Sequence, residues 1–182
     1  MTTMRSNEIF AATIAITLTL ATSYAHNAKP RVISDSAVVA SLSQQSDIQT
    51  ISGAGLQFEL PKGWKSETQA NGNVFVTLED GAANITFVTE DDYAGVIEGM
   101  KNGLKQQLTD LKSDGAAKED THNGMTHLSE SGSGLMKTVK ITWSIDVLKA
   151  GKNVTMLTFG IEDVLKRHTD EYEKFVRSLK KI

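Results

Sequence analysis

Residues 135–148, LMKTVKITWSIDVL, decide the fold class of this chain. From residue 139 onward apolar and polar side chains alternate, which is the period of two that a β-strand imposes on its two faces. A strand with one apolar and one polar face is typical of an antiparallel sheet that packs on a core on one side only. We therefore predict one long strand over residues 135–148, with Thr142, Ser144 and Asp146 on its solvated face.

Shorter runs of the same kind on both sides of this stretch predict further strands. Residues 56–60, 74–78 and 85–88 alternate or are continuously apolar, and turn residues separate them, so they are expected to form an antiparallel meander. Residues 154–161 predict another strand. The SGSG run at residues 131–134 predicts a flexible loop before the long strand.

Helical spacing appears twice. Asp91 is a candidate N-cap, and apolar residues from Tyr93 to Leu111 recur at steps of three and four. Residues 162–181 show the same spacing and end in two lysines, which complement the helix dipole. The chain is therefore predicted to be α+β, with a single antiparallel β-sheet of about six to seven strands flanked by helices.

The first 25 residues have the pattern of a cleavable signal peptide. Residues 9–20 are apolar apart from three threonines, and Ser23 and Ala25 put small residues at the −3 and −1 positions of a cleavage site. This run is shorter than the roughly 20 residues of a membrane-spanning helix, which favours a signal peptide; an uncleaved N-terminal anchor or an ordinary core helix is the alternative. We expect residues 1–25 to be removed, residues 26–54 to be a flexible tether rich in Ser, Ala and Gln, and residues 55–182 to be the folded domain.

Composition narrows the class of protein further. The chain has a formal net charge of −3 and no cysteine. It has no basic stripe, so nucleic acid is not an expected partner. The lack of cysteine excludes disulfides, thiolate metal sites and a lipid-modified cysteine anchor. We expect a periplasmic or secreted protein with no cofactor and with no membrane span after signal cleavage.

The stretch GLQFELPKGW at residues 55–64 is similar to the opening strand and turn of PsbP-like domains. Asn123-Gly124-Met125, the long strand through Trp143 and the FVRSL run at residues 175–179 also match the usual layout of that family. The resemblance covers about residues 55–182. It implies an antiparallel sheet flanked by helices, and a protein that acts by binding partners rather than by catalysis. It implies no catalytic residues.

Two histidines flank the Asn123-Gly124 dipeptide, which is a strong hairpin signal. A two-residue hairpin pairs Asp120 with His127 and His122 with Met125, so Asp120, His122 and His127 share one face of the ribbon. Two imidazoles and a carboxylate can hold zinc or copper. This is the candidate metal site, and a solvated hairpin tip with two surface histidines is the alternative.

The expected function is that of an exported, non-catalytic binding or accessory protein whose partner is a protein or an envelope component. Trp64 follows a turn and is a candidate anchor for that partner, the alternative being that it caps the end of the sheet. Other hypotheses are a small-ligand or metal carrier, and an enzyme whose site is assembled from residues distant in sequence.

Overall fold

The computed structural model describes residues 47–78 and 81–182 of the chain. These residues form strands and helices that are numbered in chain order. The elements are β1 (Asp47–Ile51), β2 (Leu56–Leu60), β3 (Trp64–Thr68), β4 (Val74–Leu78), β5 (Ala83–Thr89), α1 (Tyr93–Gln107), β6 (Thr109–Ser113), β7 (Lys118–His122), β8 (Met125–Met136), β9 (Val139–Lys149), β10 (Asn153–Ile161), α2 (Glu162–Arg167), α3 (Thr169–Ser178) and β11 (Lys180–Lys181).

The strands form two antiparallel sheets, so the predicted α+β class is confirmed and the predicted single sheet of six to seven strands is wrong. The larger sheet has eight strands in the order β3-β4-β5-β10-β9-β8-β6, with β7 also paired to β8. The smaller sheet has the order β1-β2-β11. The predicted meander of residues 56–60, 74–78 and 85–88 is wrong in its first strand: β4 and β5 do pair, but the other neighbour of β4 is β3, a strand that was not predicted. The run at residues 56–60 pairs with β1 and β11 because Leu56 and Phe58 pack in a second layer.

The predicted long strand is two strands joined by a tight turn at Lys137 and Thr138, where Lys137 adopts a φ of 58°. The predicted SGSG loop is also wrong, because residues 131–134 lie within β8. Gly132 sits directly opposite Trp143 in the neighbouring strand. A Cβ at Gly132 would lie 2.5 Å from the Trp143 ring and would collide with the carbonyl oxygen of Lys112. The glycine therefore permits the indole to pack across the strand.

Both faces of the eight-stranded sheet are covered. On one face α1 packs over the apolar side of β9 and β10, around Trp143, Ile145 and Phe159. On the other face, the three-stranded sheet and α3 pack over β3, β4 and β5. Polar side chains of β8, β9 and β10 lie on this second face, beside the covering layer. The alternation predicts instead that they lie on an open, solvated surface.

An aromatic cluster joins the two sheets and α3. Phe175 of α3 is 1 % exposed, and its ring lies 5.3 Å from that of Phe58 in β2 and 6.1 Å from that of Phe87 in β5. The Trp64 and Tyr172 rings complete its surroundings at 5.9 and 6.2 Å. Offset and edge-to-face aromatic contacts stabilise a core beyond the area they bury. The cluster therefore fixes the small sheet and α3 against the large sheet.

The helices differ from their predicted bounds. The cap of α1 is Asp92, whose carboxylate accepts the Gly95 amide at 3.1 Å, and the helix ends at Gln107 because the chain then enters β6. The predicted final helix divides at His168 into α2 and α3. Lys180 and Lys181 extend away from α3 and pair with β2.

The folded part begins before the predicted boundary at residue 55. Residues 47–51 form a strand although they lie in the predicted tether, because Ile51 and Ala54 are buried in the core. The predicted signal peptide and residues 26–46 of the predicted tether lie outside the described residues. Among the described helices, none is long and apolar enough to cross a membrane.

Candidate functional site

Strand register gathers a row of polar side chains on one face of the eight-stranded sheet, next to α2 and α3. Cross-strand partners share a face, and β8, β9 and β10 are neighbours, so their alternate residues form this row. We call this row the polar face. Its members are His127, Ser129, Ser131, Ser133, Lys140, Thr142, Ser144, Asp146 and Thr158.

Two neighbouring cavities lie between the polar face and the helices. The smaller cavity has a volume of about 280 Å³ and is lined by His127 and Asp146 from the sheet and by Val176 from α3. The larger cavity has a volume of about 480 Å³ and extends along the polar face toward α2. Ser144 and Tyr172 line both cavities, so the two are adjacent. Pockets for small ligands have volumes of roughly 300–1,000 Å³, a range that includes the larger cavity.

A chain of polar contacts runs along the smaller cavity, and we call it the histidine cluster: Asp120, His127, Asp146 and Ser144. Nδ1 of His127 lies 2.9 Å from Oδ1 of Asp120, and Nε2 lies 2.9 Å from Oδ1 of Asp146. The Ser144 hydroxyl donates to Oδ2 of Asp146 at 2.8 Å. The Asp146 side chain is 7 % exposed and that of Asp120 is 70 % exposed. One carboxylate is therefore buried and the other faces water.

The two carboxylates favour the charged imidazole. The hydrogen bond to Asp146 raises the pKa of His127 above its usual value, and partial burial opposes this. The negative charges of Asp146 and Asp120 raise the pKa further. An imidazolium donates from both ring nitrogens, which matches an acceptor on each side of the ring. The cluster thus ties β7, β8 and β9 together through one imidazole.

This arrangement makes a prediction about pH. Because the pKa of His127 is raised in the folded protein, its stabilising contribution is fully present below about pH 6.5 and is lost as the pH rises through the folded-state pKa. We expect the free energy of unfolding to fall as the pH rises above about 6.5, and His127→Gln to flatten this part of the profile. Urea unfolding across a pH series measures it. The control is His122→Gln, whose imidazole does not lie between two carboxylates; a profile unchanged by His127→Gln would contradict the assignment.

The β7–β8 hairpin, which carries Asp120 and His127, is held against the C-terminal end of α3. Asn123 and Gly124 have φ values of 47° and 76°, and β7 pairs with β8 in the predicted register, Asp120 with His127 and His122 with Met125. The side-chain amide of Asn123 donates to the carbonyl oxygens of Arg177 at 2.9 Å and Leu179 at 2.7 Å. The turn therefore satisfies carbonyls at the C-terminal end of α3.

The predicted metal site is not formed by this arrangement. Both ring nitrogens of His127 already face carboxylates, and the His122 ring lies 6.4 Å from that of His127, centre to centre. Within residues 47–78 and 81–182, no group of three or more histidine, aspartate or glutamate side chains is arranged to hold a metal ion. Asp120 and His127 do come together as predicted, but Asp146 supplies the third group.

Charged and phenolic groups surround the larger cavity. Glu162 lies 2.8 Å from the Lys140 ammonium and 2.6 Å from that of Lys166, and these two contacts lower the pKa of Glu162. Burial, with the Asp146 charge adding to it, raises the pKa of Tyr172 to about 12. Its hydroxyl lies 3.0 Å from that of Thr158. Tyr172 is therefore a neutral hydrogen-bonding group at the junction of the two cavities.

Trp64 does not take the predicted role of a partner anchor. It is 6 % exposed and stacks against Phe175 inside the core, so its ring is not available to a partner. The alternative, in which Trp64 closes the end of the core, agrees with this placement.

Sequence reasoning missed two residues of the site, Asp146 and Tyr172. The alternation along β9 predicts that Asp146 is exposed to solvent, like the other polar residues of that strand. The apolar run from Ile145 to Leu148, in which Asp146 is the one polar member, is a signal that the strand becomes buried on both faces. Helical spacing puts Tyr172 on an inner helix face, but nothing in its local sequence indicates a cavity beside it.

The comparisons with known proteins bear on the fold. No protein-family model matches the chain, and no curated protein matches it. Among solved structures, the chain is similar to LpqN, which is involved in cell envelope biogenesis of Mycobacterium tuberculosis, with 14 % identity and a TM-score of 0.47 over 76 % of this chain and 86 % of that chain. It is also similar to cyanobacterial PsbP (CyanoP) from Synechocystis, with 13 % identity and a TM-score of 0.55 over 78 % of this chain and 96 % of that chain. The likeness to CyanoP, at this identity, concerns the fold alone, and it supports the PsbP-like fold that the resemblance at residues 55–64 implies.

Proposed function

We propose that this chain is an exported, non-catalytic binding protein that holds a small ligand in the larger cavity. The observation that carries the proposal is the cavity of about 480 Å³ between the polar face and α2–α3, lined by convergent polar groups. A concave site suits a small molecule better than a flat surface would. The export part of the proposal rests on the signal-peptide pattern at residues 1–25.

The order of contacts in the histidine cluster supports a binding role over hydrolysis. In serine hydrolases the histidine accepts the serine proton and the aspartate orients the histidine. In this cluster Asp146 stands in the middle and accepts from both His127 and Ser144. Both ring nitrogens of His127 face carboxylate oxygens, so neither is directed at the Ser144 hydroxyl to take its proton. The cluster is therefore suited to holding one wall of the smaller cavity in a fixed position.

A ligand screen tests this function. We expect thermal unfolding of the protein, scanned against sugars, amino acids, short peptides, organic acids and lipids, to reveal a compound that stabilises it. A ligand present at about 100 times its dissociation constant adds roughly 2.7 kcal/mol to the free energy of unfolding. Thr142→Trp, which fills the larger cavity, should remove this effect. The matched control, Thr138→Trp, places the same ring on the exposed turn between β8 and β9 and should keep it.

Two results would count against the proposal. One is a stabilising ligand whose effect persists in folded Thr142→Trp, since that ligand binds elsewhere. The other is a screen without any ligand together with stable capture of a protein partner, which would favour the accessory role expected from the family resemblance.

A further inference from the structure

The larger cavity is lined by many hydroxyl groups, and these determine which ligand it suits. Its hydroxyl-bearing side chains come from β8, β9 and β10 of the eight-stranded sheet and from α3. Among them are Ser131, Ser133, Thr142, Ser144, Thr158 and Tyr172. A hydroxyl both donates and accepts, so this surface matches a ligand whose own groups do both.

Two of these hydroxyls are available to a ligand. Ser133 and Thr142 face each other across β8 and β9. Within residues 47–78 and 81–182, neither side-chain hydroxyl has a hydrogen-bond partner, whereas Ser131 donates to Asp114 at 3.0 Å and Ser144 donates to Asp146. A ligand hydroxyl placed between Ser133 and Thr142 could donate to one and accept from the other.

The charges around the cavity compensate one another. Lys140 and Lys166 both contact Glu162, and Asp114 supplies a second carboxylate. Two ammonium groups and two carboxylates sum to zero, so no net charge selects an anion or a cation. Because both ammonium groups contact Glu162, an anion would lose its hydration without gaining a free counter-ion. Asp114 has no ion-pair partner within residues 47–78 and 81–182, but it is exposed to solvent, so it would attract a cation only weakly. The cavity therefore favours an uncharged ligand.

We propose that the larger cavity binds an uncharged, polyhydroxylated ligand, the chemistry of a saccharide; this rests on the proposed function of that cavity. Ser133 and Thr142 provide the free hydrogen-bonding pair at its floor. Leu165 and the Tyr172 ring provide apolar surface for the C–H groups that a sugar ring also presents.

The test is an NMR titration of protein produced from the full-length sequence, following backbone amide shifts. The uncharged probes are maltotriose, cellotriose and chitotriose; the charged and peptide probes are glucose 6-phosphate, citrate and tri-alanine. We expect at least one uncharged trisaccharide to shift amides of β8, β9 and α3 around the cavity. Ser133→Ala combined with Thr142→Val should weaken this binding about tenfold, because two hydrogen bonds are lost. The control Thr138→Val should leave it unchanged.

The outcomes separate the two proposals. Cavity shifts produced only by a charged or peptide probe would overturn the saccharide inference and leave the binding function standing. A saccharide that binds the double variant as tightly as the unchanged protein would also overturn the inference. Absence of cavity shifts with every probe would overturn both.

Discussion

Replacing Phe175 by alanine is expected to lower the free energy of unfolding by about 4 kcal/mol. The side chain is fully buried and touches aromatic rings from β2, β3 and β5. Its removal leaves a cavity where the two sheets and α3 meet. Because these elements are far apart in sequence, little local relaxation can fill the space.

Urea unfolding followed by tryptophan fluorescence measures this change. Phe75→Ala is the matched control, since it makes the same truncation at a half-buried position of β4 and should cost only about 1–2 kcal/mol. Equal losses for the two variants would mean that Phe175 is not at the centre of the core, and the arrangement of the small sheet over the large one would then be wrong.

Replacing Asp146 by alanine is expected to lower the free energy of unfolding by about 3 kcal/mol at pH 6. The change leaves the His127 cation with only the exposed Asp120, and it removes the acceptor of the Ser144 hydroxyl. Groups left unpaired in a buried setting lose their hydration without compensation. The effect should shrink as the pH rises through the pKa of His127, because the neutral imidazole needs the carboxylate less.

Asp120→Ala is the control for this prediction, because it removes the other carboxylate of the same imidazole. Asp120 is mostly exposed, and exposed ion pairs contribute at most about 1 kcal/mol. A larger loss for Asp120→Ala than for Asp146→Ala would reverse the assignment of the buried partner. Equilibrium unfolding at pH 6 and at pH 9 compares the two variants directly.

Sequence patterns predicted the features that depend on neighbouring residues. The Asn123-Gly124 turn determined the β7–β8 register, because both residues adopt the positive φ values of a two-residue hairpin. Alternation likewise predicted the strands at residues 56–60 and 74–78. Capping predicted the start of α1 to within one residue.

Features that depend on distant segments were not predictable from those patterns. Leu56 and Phe58 alternate as any half-buried strand does, and only their burial against Phe87 and Phe175 assigns them to a second sheet. Likewise, the alternation in β9 shows which residues share a face. It does not show that α3 lies next to Asp146.

The candidate site shows the same division. The hairpin predicted that Asp120 and His127 are neighbours, which is a local matter. The contact between His127 and Asp146 depends on how β8 and β9 pair in the sheet. The cavity exists only because α3 packs beside this face. Sequence spacing therefore identifies Asp120 and His127 and interprets them as metal ligands. It does not identify Asp146, the buried carboxylate of the cluster, because the local sequence pattern of Asp146 is that of a surface residue.

The central claim is that the larger cavity is a ligand site. A crystal structure of the protein grown with the trisaccharide that gives the largest NMR shifts tests this claim directly. We expect electron density for the sugar against the polar face, within hydrogen-bond distance of Ser133 and Thr142 and beside the Tyr172 ring. Electron density for the sugar elsewhere on the surface would contradict the claim. So would a structure in which side chains of α2 or α3 fill the larger cavity.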